Sequence, residues 1–407
     1  MIRSFFLQDF PVTRIVGLTA MMCAISSAQD VLDDLKMESL LPSRPADEYL
    51  GGYSVDSSAV RLLDGMSASL GLSTMYDSAI GTQGDDTIFT VTPRIGYANP
   101  GSDWTLSASG ALSYSEYVNN SNLGGLGGDA SIGLGYQGGR VALASRLGFS
   151  RELGSNRSYD SGYVERNSFN FGLNGSYQVS PKTSINAGLS YIWDDADQGF
   201  GGSTSTTLST SALWRYSPLL RFGPGLRYSV QSGDIQADRT TFGPTLSAFY
   251  RLTTKVSLSS EVGLDFVDYG GANGASDEFV SVRLGADYRP RPTWGMNLSV
   301  FRDARPDYTT ADAYREILSA RFGVSHDIRR ARLAMGLTYE MDERVATDGG
   351  AIAGRDGSYF AYDTSISMPV FRGRSTASAY FRWRQNDQDG AQDGSEYQIG
   401  LGLTTRF

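Results

Sequence analysis

The sequence predicts an all-β fold: a transmembrane antiparallel up-and-down β-barrel of about eighteen strands, with sixteen as the alternative count. Three observations carry this. Apolar residues alternate with small or polar ones from Met66 to Phe407. The connections between these runs are alternately short and long. Aromatic residues collect at both ends of the runs, with aliphatic residues between them. Successive side chains on a strand face opposite ways, so a wall between lipid and water has a period of two.

Composition agrees with that class. Charged residues are only 19% of the 407-residue chain, and Lys is nearly absent, so the basic residues are almost all Arg. A net charge of -9 and a pI near 4.8 argue against a nucleic-acid partner, which needs a basic surface. The mature chain has no apolar run long enough for a membrane helix. A closed barrel crosses with much weaker hydropathy.

Residues 1–28 read as a signal peptide. Arg3 and Arg14 supply positive charge, Ile15 to Ile25 forms the apolar run, and Ser26-Ser27-Ala28 suits cleavage before Gln29. The one cysteine, Cys23, lies inside this run, behind Met21 and Met22 where lipidation would want small residues. The mature chain then has no thiol for disulfides, metal ligation or nucleophilic catalysis. Residues 29–65 form an acidic periplasmic N-terminal segment. Val31, Leu32 and Leu35 could line a short helix, but a partly disordered leader is the simplest reading.

The barrel is expected over 66–407. It opens with Met66, Ala68, Leu70, Leu72, Thr74 and Tyr76 on one parity. Runs of the same kind follow, such as Phe89/Val91/Pro93/Ile95/Tyr97, Ile185/Leu189/Tyr191/Trp193 and Leu333/Met335/Leu337/Tyr339. Short turns such as Gly138-Gly139 and Ser217–Leu220 alternate with long polar loops such as Arg151–Arg166 and Asp342–Gly357. This asymmetry places the short turns in the periplasm and the long loops outside the cell, in the outer membrane of a Gram-negative bacterium. Tyr97, Trp104, Tyr136, Trp214 and Trp294 stand by short turns; Tyr76, Phe149, Trp193, Tyr339 and Trp383 stand by long loops. Two such girdles match the preference of amphipathic rings for the headgroup level.

The opposite parity should face the lumen. Its pore-lining candidates are Arg94, Arg146, Arg227, Glu261, Asp265, Arg283, Asp287, Arg321, Glu340, Asp363 and Arg382, with Asp303 beside them. A charge facing mid-membrane lipid is costly, so this parity fits a wet interior. These groups suit pore selectivity and equally suit cross-strand pairing that stiffens the wall.

Enzyme chemistry is not expected. The sole histidine, His326, falls beside a short turn next to Asp327, and no metal or cofactor is called for. Asp387 to Gly394 loosely suggests a calcium loop but lacks the spacing and closing Glu of an EF-hand. On the last strand, Tyr397, Ile399, Leu401, Leu403 and Phe407 share the apolar face. Ending on an aromatic residue, this stretch resembles the C-terminal signal that the barrel-assembly machinery recognises.

The first hairpin reads Tyr76-Asp77-Ser78-Ala79, then Asp85-Asp86-Thr87 and Pro93. It resembles the opening of a β-barrel porin family of bacterial outer membranes associated with exopolysaccharide export, with Ala79 where Asn is usual. The resemblance implies an outer-membrane channel assisting export of a polar polymer, with polysaccharide-export machinery as a partner. The residues alone leave two alternatives, a general or solute-selective diffusion porin and a non-conducting structural or surface-binding barrel. Expected partners are outer-membrane lipid, lipopolysaccharide and the barrel-assembly machinery.

Overall fold

A computed structural model describes residues 65–80, 84–156, 162–197, 201–234, 238–270, 276–306, 313–346, 357–388 and 394–407. The expected signal peptide, most of the N-terminal segment and the core of the Asp387–Gly394 loop lie outside them. Eighteen strands run in chain order. They are β1 Met66–Asp77, β2 Asp86–Pro100, β3 Trp104–Tyr117, β4 Gly125–Gly138, β5 Val141–Asn156 and β6 Gly162–Ser180. Then come β7 Thr183–Ala196, β8 Gly201–Arg215, β9 Leu220–Gly233, β10 Asp238–Arg251, β11 Val256–Gly270 and β12 Ser276–Arg291. The last six are β13 Trp294–Pro306, β14 Ala313–Ile328, β15 Ala331–Ala346, β16 Gly357–Val370, β17 Ser375–Gln388 and β18 Gly394–Arg406.

Each strand pairs antiparallel with the next, and β18 closes on β1 from Ser69↔Arg406 to Asp77↔Gln398. Closure removes both edges, so every strand has a backbone partner on each side. No helix among the described residues is long and apolar enough to cross a membrane.

Burial is inverted relative to a water-soluble protein. Leu106, Ile132, Leu208, Leu246, Leu284 and Leu401 are exposed, while Asp265, Ser281, Ser319, Arg321 and Glu340 on the other parity are buried. A continuous exposed apolar surface of this extent is unfavourable in water, so the solvent of that face is lipid. Aromatic contacts mark its two margins. Near the short turns Trp104 meets Tyr136 at 4.6 Å and Trp214 meets Phe222 at 5.7 Å between ring centroids. Near the long connections Tyr76 meets Tyr397 at 5.8 Å and Phe169 meets Tyr191 at 6.2 Å.

Strands run longer than the apolar alternation. The loop expected over Arg151–Arg166 is ladder up to Asn156 and again from Gly162; that over Asp342–Gly357 is ladder up to Ala346. Beyond the lipid belt neither face needs apolar residues, so the sequence pattern fades while backbone pairing continues. Pro224 and Pro244 sit inside strands on the outward parity. Lacking an N–H, each leaves a break in the ladder on one side: between Ser211↔Gly225 and Trp214↔Phe222, and between Phe242↔Phe266 and Thr245↔Gly263.

Candidate functional site: the inner face of the barrel

The charged parity occupies the concave side. Arg227 on β9 donates from Nη2 to Ser281 Oγ on β12 at 2.6 Å, although two strands lie between. Neighbouring strands are about 4.8 Å apart, so a side chain reaches that far only where the wall curves toward it.

Around Arg227 the expected residues come together. Its guanidinium pairs with Asp265 and lies 3.6 Å from Glu261. Glu261 is also 3.7 Å from Arg283, and Arg283 is 3.5 Å from Asp303. This links β9, β11, β12 and β13 in one alternating chain of charges. The corridor over β10 is open because Gly243 stands directly opposite Arg227. A Cβ there would collide with the Asp265 carboxylate and come within 2.7 Å of the Leu264 carbonyl oxygen.

Arg321 on β14 forms a second group. It donates to Glu340 Oε1 at 3.1 Å, Ser319 donates to the same oxygen at 3.0 Å, and the guanidinium lies 5.0 Å from the Phe301 ring centre. Both charged side chains are nearly inaccessible, 9% and 5% exposed. Arg94 on β2 differs. It pairs with Asp129 on β4 at 3.5 Å, and these side chains remain 43% and 49% exposed.

Three further groups lie on the same face. Asp363 stands directly opposite Arg382, and Arg382 donates to Gln398 Oε1 at 3.4 Å. Arg146 is inward on β5 and already engaged. Asp287 is inward on β12, nearer the periplasmic end. The charges are densest on the wall from β9 to β18; Arg94, Asp129, Arg146 and the Arg166–Asp194 pair at 2.8 Å lie outside it. From β3 to β8 the inner wall is mainly Ser, Thr, Asn, Gly and Ala, with contacts such as Ser109 to Ser131 at 2.8 Å and Asn186 to Ser211 at 3.4 Å.

The motif of the first hairpin works at the closure. Tyr76 donates to Asp85 at 3.0 Å. Asp77 accepts the Ala79 amide at 3.1 Å and the Gln398 side chain of β18 at 2.8 Å. Asp86 accepts amides of Thr87, Asn119 and Asn120 at 2.7 to 3.1 Å and the Asn120 side-chain N–H at 3.0 Å, holding the β3–β4 connection down. Ile80, Ile88, Tyr117 and Leu123 bury one another beneath it. On β18, Tyr397, Ile399 and Leu401 are exposed on the lipid side beside Leu403, and the Phe407 amide bonds the Ala68 carbonyl at 2.9 Å. His326 stacks on Trp294 at 4.1 Å between centroids, a girdle position.

Parity alone left several inward groups unnamed: Asp129, Arg384 (3.6 Å from Glu396, which lies on the polar parity of β18), and Arg215, Arg221 and Arg251 at the periplasmic end. The parity of Trp214, Phe222 and Tyr250 extended by one residue would have found the last three.

No family model and no curated protein matches the chain. Solved structures of similar shape include Pseudomonas aeruginosa OpdK with vanillate, at 13% identity and TM-score 0.45, covering 84% of this chain and 98% of that one. OccAB4 of Acinetobacter baumannii gives 11% and 0.42, with coverages of 84% and 98%. The copper transporter OprC gives 11% and 0.43, covering 79% of this chain, which spans only 63% of the transporter. Similarity at this level assigns no cargo. By its closed eighteen-strand wall, apolar outer belt and paired girdles, the chain is a bacterial outer-membrane β-barrel.

Proposed function

We propose that the barrel is a water-filled channel for polar solutes. The observation carrying this reading is the exposure of Arg94 and Asp129. Two charged side chains on the inner face stay nearly half accessible inside a closed wall. Such exposure calls for water in the lumen, because a charge left on the inner face of a membrane-spanning wall without water would be strongly disfavoured. Eighteen strands enclose enough space for it. The hydroxyl and amide groups from β3 to β8 offer hydrogen bonds to a passing solute, and the charged wall opposite sets ion preference.

Purified protein in a planar bilayer is expected to show steady ohmic conductance. Arg94→Ala leaves Asp129 uncompensated and is expected to shift selectivity toward cations. An unshifted reversal potential would remove Arg94 from the conducting path.

A second reading is passage of a polar polymer such as an exopolysaccharide. It is favoured by the hydroxyl-rich wall, which suits a carbohydrate chain, and by the first-hairpin resemblance. The hairpin's own residues are occupied at the closure, so they bear on architecture more than on cargo. Normal extracellular polysaccharide in a deletion strain would sink this reading. The lipid-side residues of β18, Tyr397 to Phe407, are proposed as the strand surface that the assembly machinery reads.

A further inference from the structure

At the periplasmic end of the inner wall, two arginines face each other across adjacent strands. Arg215 on β8 is paired in register with Arg221 on β9. Like charges directly opposite one another destabilise a strand pair. A neighbouring carboxylate would normally relieve this, as at Arg227 and Arg321. None does so here: among the described residues, neither arginine has a carboxylate within ion-pair distance.

More cations gather around the pair. The Arg215 amide bonds the Lys182 carbonyl at 2.7 Å, placing Lys182 beside it. Arg251 on β10 adds another charge, its amide bonding the Leu219 carbonyl at 2.8 Å. Of the nearby inward carboxylates, Asp287 is two strands from Arg251, and Glu261 is held between Arg227 and Arg283. The Arg221 guanidinium lies 5.5 Å from the centre of the Phe249 ring, which helps to fix it.

A recess of about 190 Å³ opens against these groups. Lys182, Arg215 and Arg221 line one part of it; Ser176, Gln178, Ser184 and Asn186 supply hydroxyl and amide groups in the rest. Two planar guanidinium forks beside neutral hydrogen-bonding groups suit phosphate or carboxylate oxygens.

We propose that Lys182, Arg215 and Arg221, flanked by Arg251, form a binding site for multivalent phosphate- or carboxylate-bearing solutes at the periplasmic mouth. The site deepens the channel reading by naming the class of solute held at one end. Its existence as a binding site does not require conduction.

The test is calorimetric titration of the folded full-length barrel with pyrophosphate, with citrate as competitor. Binding is expected in the wild type. The Arg215→Gln/Arg221→Gln variant should bind at least tenfold more weakly, and Arg221→Lys, which keeps the charge, should bind more tightly than Arg221→Gln. Lys255→Gln, in the next short turn outside the recess, should bind as the wild type does. Folding of each variant is checked by heat-modifiable migration in gels. Should the double variant not fold, the single Arg221→Gln and Arg221→Lys variants give the comparison. Citrate competition extends the site to carboxylates; its failure restricts the site to phosphates. Absence of wild-type binding, or equal binding by the Gln variants, overturns the site. A barrel that binds pyrophosphate but passes no current keeps the site and overturns the channel.

Discussion

Arg321 and Arg94 carry the same guanidinium on the same side of the wall, yet their surroundings give them different consequences. Arg321 and Glu340 are almost wholly enclosed. Removing one partner strands the other charge, so Arg321→Ala should cost about 3–5 kcal/mol, read as a lower urea midpoint for the detergent-folded protein. Arg94 and Asp129 are nearly half exposed, and Arg94→Ala should cost less than about 1 kcal/mol while changing ion preference. Equal destabilisation by the two variants would contradict this division. Gly243 makes the third case. Gly243→Val fills the corridor through which Arg227 reaches Asp265, so that pair should separate and stability fall, whereas Gly139→Ala in the β4–β5 turn meets no neighbouring atom and carries only its backbone cost. None of these distinctions is visible in parity alone. The alternation shows that a residue faces inward; the length of Arg227's reach and the absence of a Cβ on β10 decide what it meets.

Among elements, the strands were legible where lipid touches them and illegible beyond. Leu246 is recognisable as lipid-facing because its neighbours at two-residue spacing, Pro244 and Ala248, are apolar too. Ser155 and Tyr163 also belong to a ladder, but no two-sided solvent contrast writes a pattern there. A charge should reveal the difference between faces. Leu246→Arg is expected to cost about 2–4 kcal/mol of folding into vesicles, and Ser209→Arg on the inner face of β8 far less. Similar losses for both would contradict the assigned faces. The β3–β4 connection offers another check. Asp86→Ala removes the acceptor shared by the Asn119 and Asn120 amides, so these should exchange hydrogen faster, with a loss of about 1–3 kcal/mol. The Asp-Thr motif was readable in sequence. Its attachment to the β3–β4 connection depends on residues more than thirty positions away.

The whole molecule is defined by closure and by exposure together. β18 meets β1 across Leu72↔Leu403, and Gln398 bridges from Arg382 on one side of that seam to Asp77 on the other. The shared apolar face of Tyr397 to Leu403 was legible from parity; the polar chain across the seam was not, because it joins three strands. The asymmetry between a hydroxyl wall and a charged wall could also be read from sequence in outline, since the charges cluster in the second half of the chain. The proposed channel holds water between those walls. Planar-bilayer recording of the correctly inserted barrel tests it directly. Steady ohmic conductance is expected in the wild type, with reversal potential displaced toward cations in Arg94→Ala. Inserted, folded barrels that pass no current would contradict it.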